Sequence, residues 1–194
     1  MFPYLKKNYL AFIIIFFGLI GFFASFTLTL DKIEIIKRPD YIPACAINTV
    51  FNCGTVMRTK YAEIFGFPNS LMGISGYSLA VITGIFLTQV RKYSKAVTWI
   101  TFIPTLLGFL ISYYWLYLSS QVIGVFCPWC LLSTASSTFI FFAVVTINLQ
   151  ENNFGLKPEL AKYFNKKITG GWHFPILILW VIAAIIFAAW PFVI

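Results

Sequence analysis

Charged side chains are scarce in this 194-residue chain, since only 10% of its residues are Asp, Glu, Lys or Arg. Soluble domains carry about 25% charged and 45–50% apolar residues, whereas here 60% are hydrophobic and the mean hydropathy is +0.86. This shortage of charge excludes a water-soluble fold. The net charge of +8 does not indicate nucleic-acid binding, because the 14 Lys and Arg lie in short clusters between apolar runs.

The sequence has only one histidine, and it lacks the common nucleotide-binding and metalloprotease motifs. The single histidine, His173, lies far along the chain from the cysteines, which argues against a Cys–His hydrolase. The sequence has no G-x-x-x-x-G-K phosphate loop, no dinucleotide fingerprint and no H-E-x-x-H motif. The four cysteines remain as candidate reactive residues, which indicates thiol chemistry. Because the chain is so apolar, this chemistry must take place in or against a membrane.

Five uncharged runs approach or exceed the roughly 20 residues that a helix needs to cross a bilayer. They predict transmembrane helices at about 9–30, 70–90, 96–118, 125–149 and 174–194. The first run is longer than the apolar part of a signal peptide, so a retained helix is predicted. A polar turn is predicted at residues 119–121. In the second helix, Gly73, Gly76 and Gly84 are predicted to let a neighbouring helix approach closely.

The distribution of basic residues predicts how these helices are oriented. Segments 1–8, 91–95 and 150–173 together hold nine Lys and Arg, whereas segment 31–69 holds five. The positive-inside rule therefore predicts a multi-pass protein of the cell inner membrane with a cytoplasmic N-terminus. The C-terminus and the long external loop 31–69 are predicted to be extracytoplasmic, and the whole chain, 1–194, is predicted to be one transmembrane domain.

All four cysteines are predicted to face the same compartment. Cys45 and Cys53 lie in the external loop, and Cys127 and Cys130 lie where the fourth helix starts on that side. This compartment is the oxidising one, in which disulfides persist. In the Cys127-Pro-Trp-Cys130 motif, Pro128 is compatible with a helix start. The positive end of the helix there favours the thiolate form of Cys127.

Several readings of the cysteines follow from their spacing. A bond within C-x-x-C closes a very short loop and adds little stability, so a redox role is favoured over two inert buried thiols. The Cys45 and Cys53 pair is either a static disulfide that fastens the loop or a second redox pair that exchanges with the first through a mixed disulfide. A four-thiolate zinc site is the third reading, although the C-x7-C spacing departs from the usual C-x2–4-C, and no metal ligand is predicted.

Three segments resemble the vitamin K epoxide reductase family, in particular its bacterial members that oxidise thiols. They are CAINTVFNC at 45–53 with the following Thr59, FGFPNSLMG at 65–73 and CPWC at 127–130. The resemblance implies an all-α integral membrane protein. Four transmembrane helices form a bundle around a quinone, a fifth lies outside it, and the cysteine-bearing external loop caps it. Some bacterial relatives continue into a thioredoxin-like domain. None is expected here, so a separate periplasmic or extracytoplasmic thioredoxin-like protein is the expected electron donor.

The resemblance also implies roles for the cysteines. Cys130 resembles the cysteine that faces the quinone, which would be ubiquinone or menaquinone, and Cys127 resembles its exchange partner. Cys53 resembles the loop cysteine that attacks Cys127. Cys45 is left to react with the outside thiol.

Further residues are expected to contact the quinone. Thr59 matches the family's Ser/Thr position near the site, and Asn69 matches the position whose amide binds a quinone carbonyl. Thr134 stands where vertebrate enzymes carry a tyrosine, a departure that disfavours epoxide chemistry. Flat apolar surface for the ring is expected from aromatic residues near the outer helix ends, namely Phe67, Tyr113, Tyr114, Trp115, Phe126 and Trp129.

The sequence thus predicts an enzyme, a thiol:quinone oxidoreductase that supports oxidative protein folding. Two electrons would pass from the thioredoxin-like protein through both cysteine pairs to the quinone. One alternative is a quinone or vitamin K epoxide reductase in quinone recycling. The other is a non-enzymatic membrane scaffold with a disulfide-stapled loop.

Overall fold

The structure is a computed structural model that describes residues 2–90 and 94–190. In these ranges the backbone forms seven α-helices: α1 (Phe2–Lys37), α2 (Cys53–Met57), α3 (Ser70–Gln89), α4 (Lys95–Tyr117), α5 (Pro128–Gln150), α6 (Pro158–Thr169) and α7 (His173–Ala189). A 3-10 turn spans Lys60–Glu63, and a π-helical turn at Leu118–Ile123 follows α4. This π-helical turn occupies the position of the polar turn predicted at residues 119–121.

Four helices, α1, α3, α4 and α5, are long and apolar enough to cross a membrane. This finding confirms the all-α membrane fold. The fifth predicted span corresponds to α7, whose apolar part, Pro175–Ala189, is shorter than the other four. The last four positions of that predicted span, 191–194, lie outside the described residues, as do residue 1 and residues 91–93 of the predicted cytoplasmic segments.

The first helix extends well beyond the boundary that its charges suggested. It ends at Lys37 rather than at Leu30, because the charged residues in its last turns have partners in the loop. Lys32 Nζ donates a hydrogen bond to the Met57 carbonyl at 2.7 Å and forms a 3.0 Å ion pair with Glu63. The segment between α1 and α3 is therefore shorter than predicted, and it is fastened to the end of α1.

Close packing of α1 against α3 depends on glycine, as predicted for two of the three positions. A Cβ on Gly84 would lie 2.7 Å from Ile15 Cγ1 and 3.2 Å from the Ala11 carbonyl oxygen, and one on Gly73 would collide with Ser25. The prediction for Gly76 is wrong, since a Cβ there would meet nothing within 4 Å. Helix α1 also packs against α5, and α5 against α4.

We expect Gly84→Ala to lower the free energy of unfolding by about 1–3 kcal/mol, because the added methyl group forces two helix backbones apart. Gly76→Ala is the matched control in the same helix, and it should be neutral or slightly stabilising because alanine is the better helix former. Thermal unfolding of both variants in detergent measures the difference. Equal unfolding temperatures would contradict the close contact at Gly84.

Candidate active site

A small hairpin brings the two loop cysteines together. The Ile47 N–H donates to the Phe51 carbonyl at 2.9 Å, and the Asn48 side-chain oxygen accepts the N–H groups of Val50 and Phe51 at 2.9 and 2.7 Å. Asparagine favours such turns because its side chain satisfies backbone N–H groups that follow it. The hairpin sets Cys45 opposite Cys53, with their Cα atoms 5.6 Å apart, and the two form a disulfide.

The same hairpin also pairs with the segment just before α5. The Asn52 N–H donates to the Phe126 carbonyl at 2.8 Å, and the Phe126 N–H donates to the Val50 carbonyl at 2.7 Å. Cys53 follows Asn52, and Cys127 follows Phe126. This short parallel bridge therefore places the loop cysteine and the first cysteine of the C-x-x-C motif next to each other at the start of their helices.

The side chains of these cysteines share one apolar cluster. Cys45, Cys53 and Cys127 are buried in it, at 6%, 0% and 1% exposure, and the half-buried Cys130 packs against it. Cys127 and Cys130 are free thiols. The structure thus gathers all four predicted cysteines at one end of the bundle, hereafter the cysteine end.

The C-x-x-C motif lies at a helix start, as its proline indicated. Pro128 is the first residue of α5, so the helix begins there rather than at residue 125, and Cys127 is its N-cap. The Cys130 N–H donates to Cys127 Sγ at 3.3 Å. This contact fixes the position of the Cys127 sulfur at the N-terminus of α5.

Two of the predicted quinone contacts have local partners in the structure. The Asn69 amide closes its own loop, because Nδ2 donates to the Tyr61 carbonyl at 2.6 Å and Oδ1 accepts the Ile64 N–H at 3.3 Å. The Thr59 hydroxyl donates to the Val56 carbonyl at 2.8 Å, and Val56 packs against the cysteine cluster.

The other three predicted contacts differ in how close they come to the thiols. Thr134 is buried one turn after Cys130, and its hydroxyl donates to the Cys130 carbonyl at 3.0 Å. Phe67 is exposed and stacks on Phe65, and Trp115 contacts Tyr114. In the part of the chain that the structure describes, neither of these two aromatic side chains belongs to the cysteine cluster.

Two tyrosines place phenol groups beside α5 just below the C-x-x-C motif. The Tyr77 hydroxyl lies 2.7 Å from Ser137 Oγ and donates to the Ser133 carbonyl at 2.6 Å, and the Tyr113 hydroxyl lies 3.0 Å from Thr138 Oγ1. Sequence reasoning missed Tyr77, because it sits inside an apolar run and only the fold reveals that its hydroxyl reaches from α3 to α5. The Tyr77 and Tyr113 side chains thus carry hydroxyl groups that reach farther than the short side chain of Thr134 does.

Sequence reasoning also missed two residues beside Cys45. The Asp31 carboxylate accepts a hydrogen bond from the Tyr41 hydroxyl at 3.0 Å, and its other oxygen lies 4.0 Å from Cys45 Sγ. The hydrogen bond to this carboxylate raises the pKa of Tyr41, so Tyr41 remains a donor at neutral pH. In the sequence, Asp31 is visible only as a charge, which predicts the end of a helix rather than a contact with Cys45.

Among the described residues, no three His, Cys, Asp or Glu side chains are placed so that they could hold a metal ion. The Cys45–Cys53 disulfide also removes two thiolates from any four-cysteine zinc site.

A sequence model of the Vitamin K epoxide reductase family matches residues 12–145, which include all four cysteines. The chain belongs to this family. The match confirms the resemblance seen in the motifs, and it makes the protein a membrane oxidoreductase whose chemistry involves cysteines and a quinone. Among curated proteins, no sequence matches the chain significantly.

Proposed function

We propose that this family member is a thiol:quinone oxidoreductase that passes two electrons from a thioredoxin-like protein to a membrane quinone. The observation that carries the proposal is the bridge between the hairpin and Phe126, which sets Cys53 beside Cys127. A disulfide whose only task was to fasten the loop would not need a second pair of thiols packed against it. Regenerating the oxidised partner supports oxidative protein folding.

The exchange follows from this arrangement in balanced steps. A partner thiolate attacks Cys45, the Cys45–Cys53 bond breaks, and Cys53 leaves as a thiolate. The partner's second thiolate then attacks its own sulfur in the mixed disulfide and releases Cys45. With the motif oxidised, Cys53 attacks Cys127 and Cys130 leaves as a thiolate. Attack by Cys45 on Cys53 then restores the loop disulfide and releases Cys127. The pairing in the structure, with the loop oxidised and the motif reduced, corresponds to electrons having reached the motif.

The surroundings of Cys130 fit a flat apolar ring that bears hydrogen-bond acceptors. Trp129 packs edge-on against Phe23 beside the thiol at a centroid distance of 5.8 Å, and Tyr113 and Leu131 pack against the neighbouring apolar cluster. The hydroxyls of Tyr77 and Tyr113 lie just below. A bound quinone supplies the acceptor for the two electrons, and these walls would keep water away from Cys130.

The remaining predicted contacts join this proposal with narrower roles. An amide nitrogen carries two N–H groups, and the Tyr61 contact uses one of those on Asn69, so the other is proposed as a donor to a quinone carbonyl. Thr59 and Phe67 are proposed to line the entrance from the loop side, and Trp115 to line it from α4. Thr134 is proposed to shape the pocket beside Cys130 through its methyl group, because its hydroxyl is bonded to a carbonyl in its own helix.

The orientation and partner of the protein are part of the same proposal. The excess of Lys and Arg in the segments opposite the cysteine end supports an extracytoplasmic position for the thiols in the inner membrane. The electron donor is proposed to be a separate thioredoxin-like protein in that compartment.

The test is quinone absorbance with the purified protein and a reduced thioredoxin-like protein. We expect catalysed loss of ubiquinone or menaquinone absorbance. The Cys45→Ser variant should fail with the protein thiol yet keep turnover with dithiothreitol, which is small enough to reach the motif directly. No turnover of the unmodified protein with either reductant would contradict the proposal and favour a scaffold with a stapled loop.

A further inference from the structure

Asp31, in the last turns of α1, is the acidic side chain that meets the loop disulfide. Its carboxylate has two different neighbours, because Oδ1 accepts the Tyr41 hydroxyl at 3.0 Å and Oδ2 lies 4.0 Å from Cys45 Sγ. Cys45 is buried, with 6% exposure, and Asp31 is partly buried. A disulfide sulfur has no proton to donate, whereas the reduced Cys45 has an S–H group at this position.

We propose that Asp31 is a positioning residue that stabilises the reduced form of the loop pair by accepting a hydrogen bond from the Cys45 thiol. The inference rests on the proposed function in one respect, that the loop pair is redox-active. A dithiol stabilised in its reduced form makes its disulfide a stronger oxidant. Asp31 thus increases the tendency of Cys45–Cys53 to take electrons from the outside thiol.

The other charged groups near this contact are already engaged. Lys32, the next residue, turns to the Met57 carbonyl and Glu63. Arg58 donates to the Tyr41 carbonyl at 2.7 Å, and Arg38 pairs with Glu34 at 2.8 Å while lying over the Tyr41 ring. Among the residues that the structure describes, Asp31 is the charged group that contacts the Cys45 sulfur.

Two substitutions separate the charge of Asp31 from its link to Tyr41. Asp31→Asn removes the negative charge and keeps an oxygen that accepts the Tyr41 hydroxyl. Tyr41→Phe removes that hydrogen bond and keeps the carboxylate beside Cys45. Both are made in the full chain with Cys127→Ser and Cys130→Ser, so that only the loop pair titrates and neither quinone nor a partner protein is needed.

The first readout is the equilibrium of the loop disulfide with glutathione, in which two glutathione thiols are oxidised as two loop thiols form. We expect Asp31→Asn to lower the equilibrium constant for loop reduction about tenfold, since hydrogen bonds to charged groups are strong. Tyr41→Phe should leave it within about twofold.

The second readout is the rate of Cys45 alkylation by iodoacetamide against pH, followed by mass spectrometry of the reduced protein. We expect Asp31→Asn to raise the rate at pH 7 about tenfold, because a nearby carboxylate disfavours the thiolate. An unchanged equilibrium and alkylation profile in Asp31→Asn would overturn the proposal, as would equal shifts in both variants. Neither result would bear on quinone turnover, which tests the proposed function separately.

Discussion

The Cys130→Ser variant is expected to reduce quinone no faster than the uncatalysed background, whichever reductant is supplied. In the proposed exchange, electrons leave the protein from the second cysteine of the motif, and a serine hydroxyl neither forms the motif disulfide nor takes part in thiol–disulfide exchange. Cys130 is the half-buried member of the group, in contrast to the buried Cys127, which suits a thiol that reacts with a bilayer-dissolved acceptor. Quinone absorbance with dithiothreitol and with a thioredoxin-like protein measures the loss.

The control for this variant is Ser136→Ala in the same helix. The Ser136 hydroxyl is buried and donates to the Leu132 carbonyl at 2.8 Å, and we assign it no part in the exchange, so turnover should stay near that of the unmodified protein. Cys130→Ser should still form the Cys45–Cys53 disulfide, because the hairpin that joins these cysteines does not involve α5. Turnover of Cys130→Ser above background would show that another thiol passes electrons to the quinone.

The second large effect is expected in the Cys45→Ser/Cys130→Ser double variant, which should form a stable Cys53–Cys127 disulfide in most molecules under oxidising conditions. Each remaining thiol has lost its usual partner, and the parallel bridge between Phe51 and Phe126 holds the two next to each other. A count of free thiols in the denatured, unreduced protein measures the effect, with almost none expected.

The helical membrane fold and the grouping of the cysteines were predictable from the sequence. Uncharged runs reveal spanning helices because charges are costly in a bilayer, and Pro128 indicates a helix start. The end of α1 was not predictable in this way. Lys32 lies within a helix because Glu63 neutralises its charge. An ion pair with a residue in the loop leaves no periodic pattern in the sequence.

Loop geometry accounts for most of what the sequence could not predict at the site. Asn69 was expected to face the quinone, but its amide also closes the turn between Tyr61 and Ile64. The position of Asp31 beside Cys45 depends on the fold of the hairpin, and the contact of Tyr77 with α5 depends on how its side chain reaches across from α3. Gly76 also shows that the fold decides which residues make contacts. Its position in the helix suggested a close contact with a neighbouring helix, but a Cβ there would meet none of the described residues within 4 Å.

The central claim is that Cys53 exchanges with Cys127 rather than with Cys130. Mass spectrometry of oxidised, unreduced peptides from two double variants tests this claim most directly. We predict a cross-link between the cysteine-bearing loop and the start of α5 in Cys45→Ser/Cys130→Ser, and little of it in Cys45→Ser/Cys127→Ser. Free Cys53 and Cys127 in the first variant, together with a Cys53–Cys130 cross-link in the second, would contradict the account and reverse the roles within the motif.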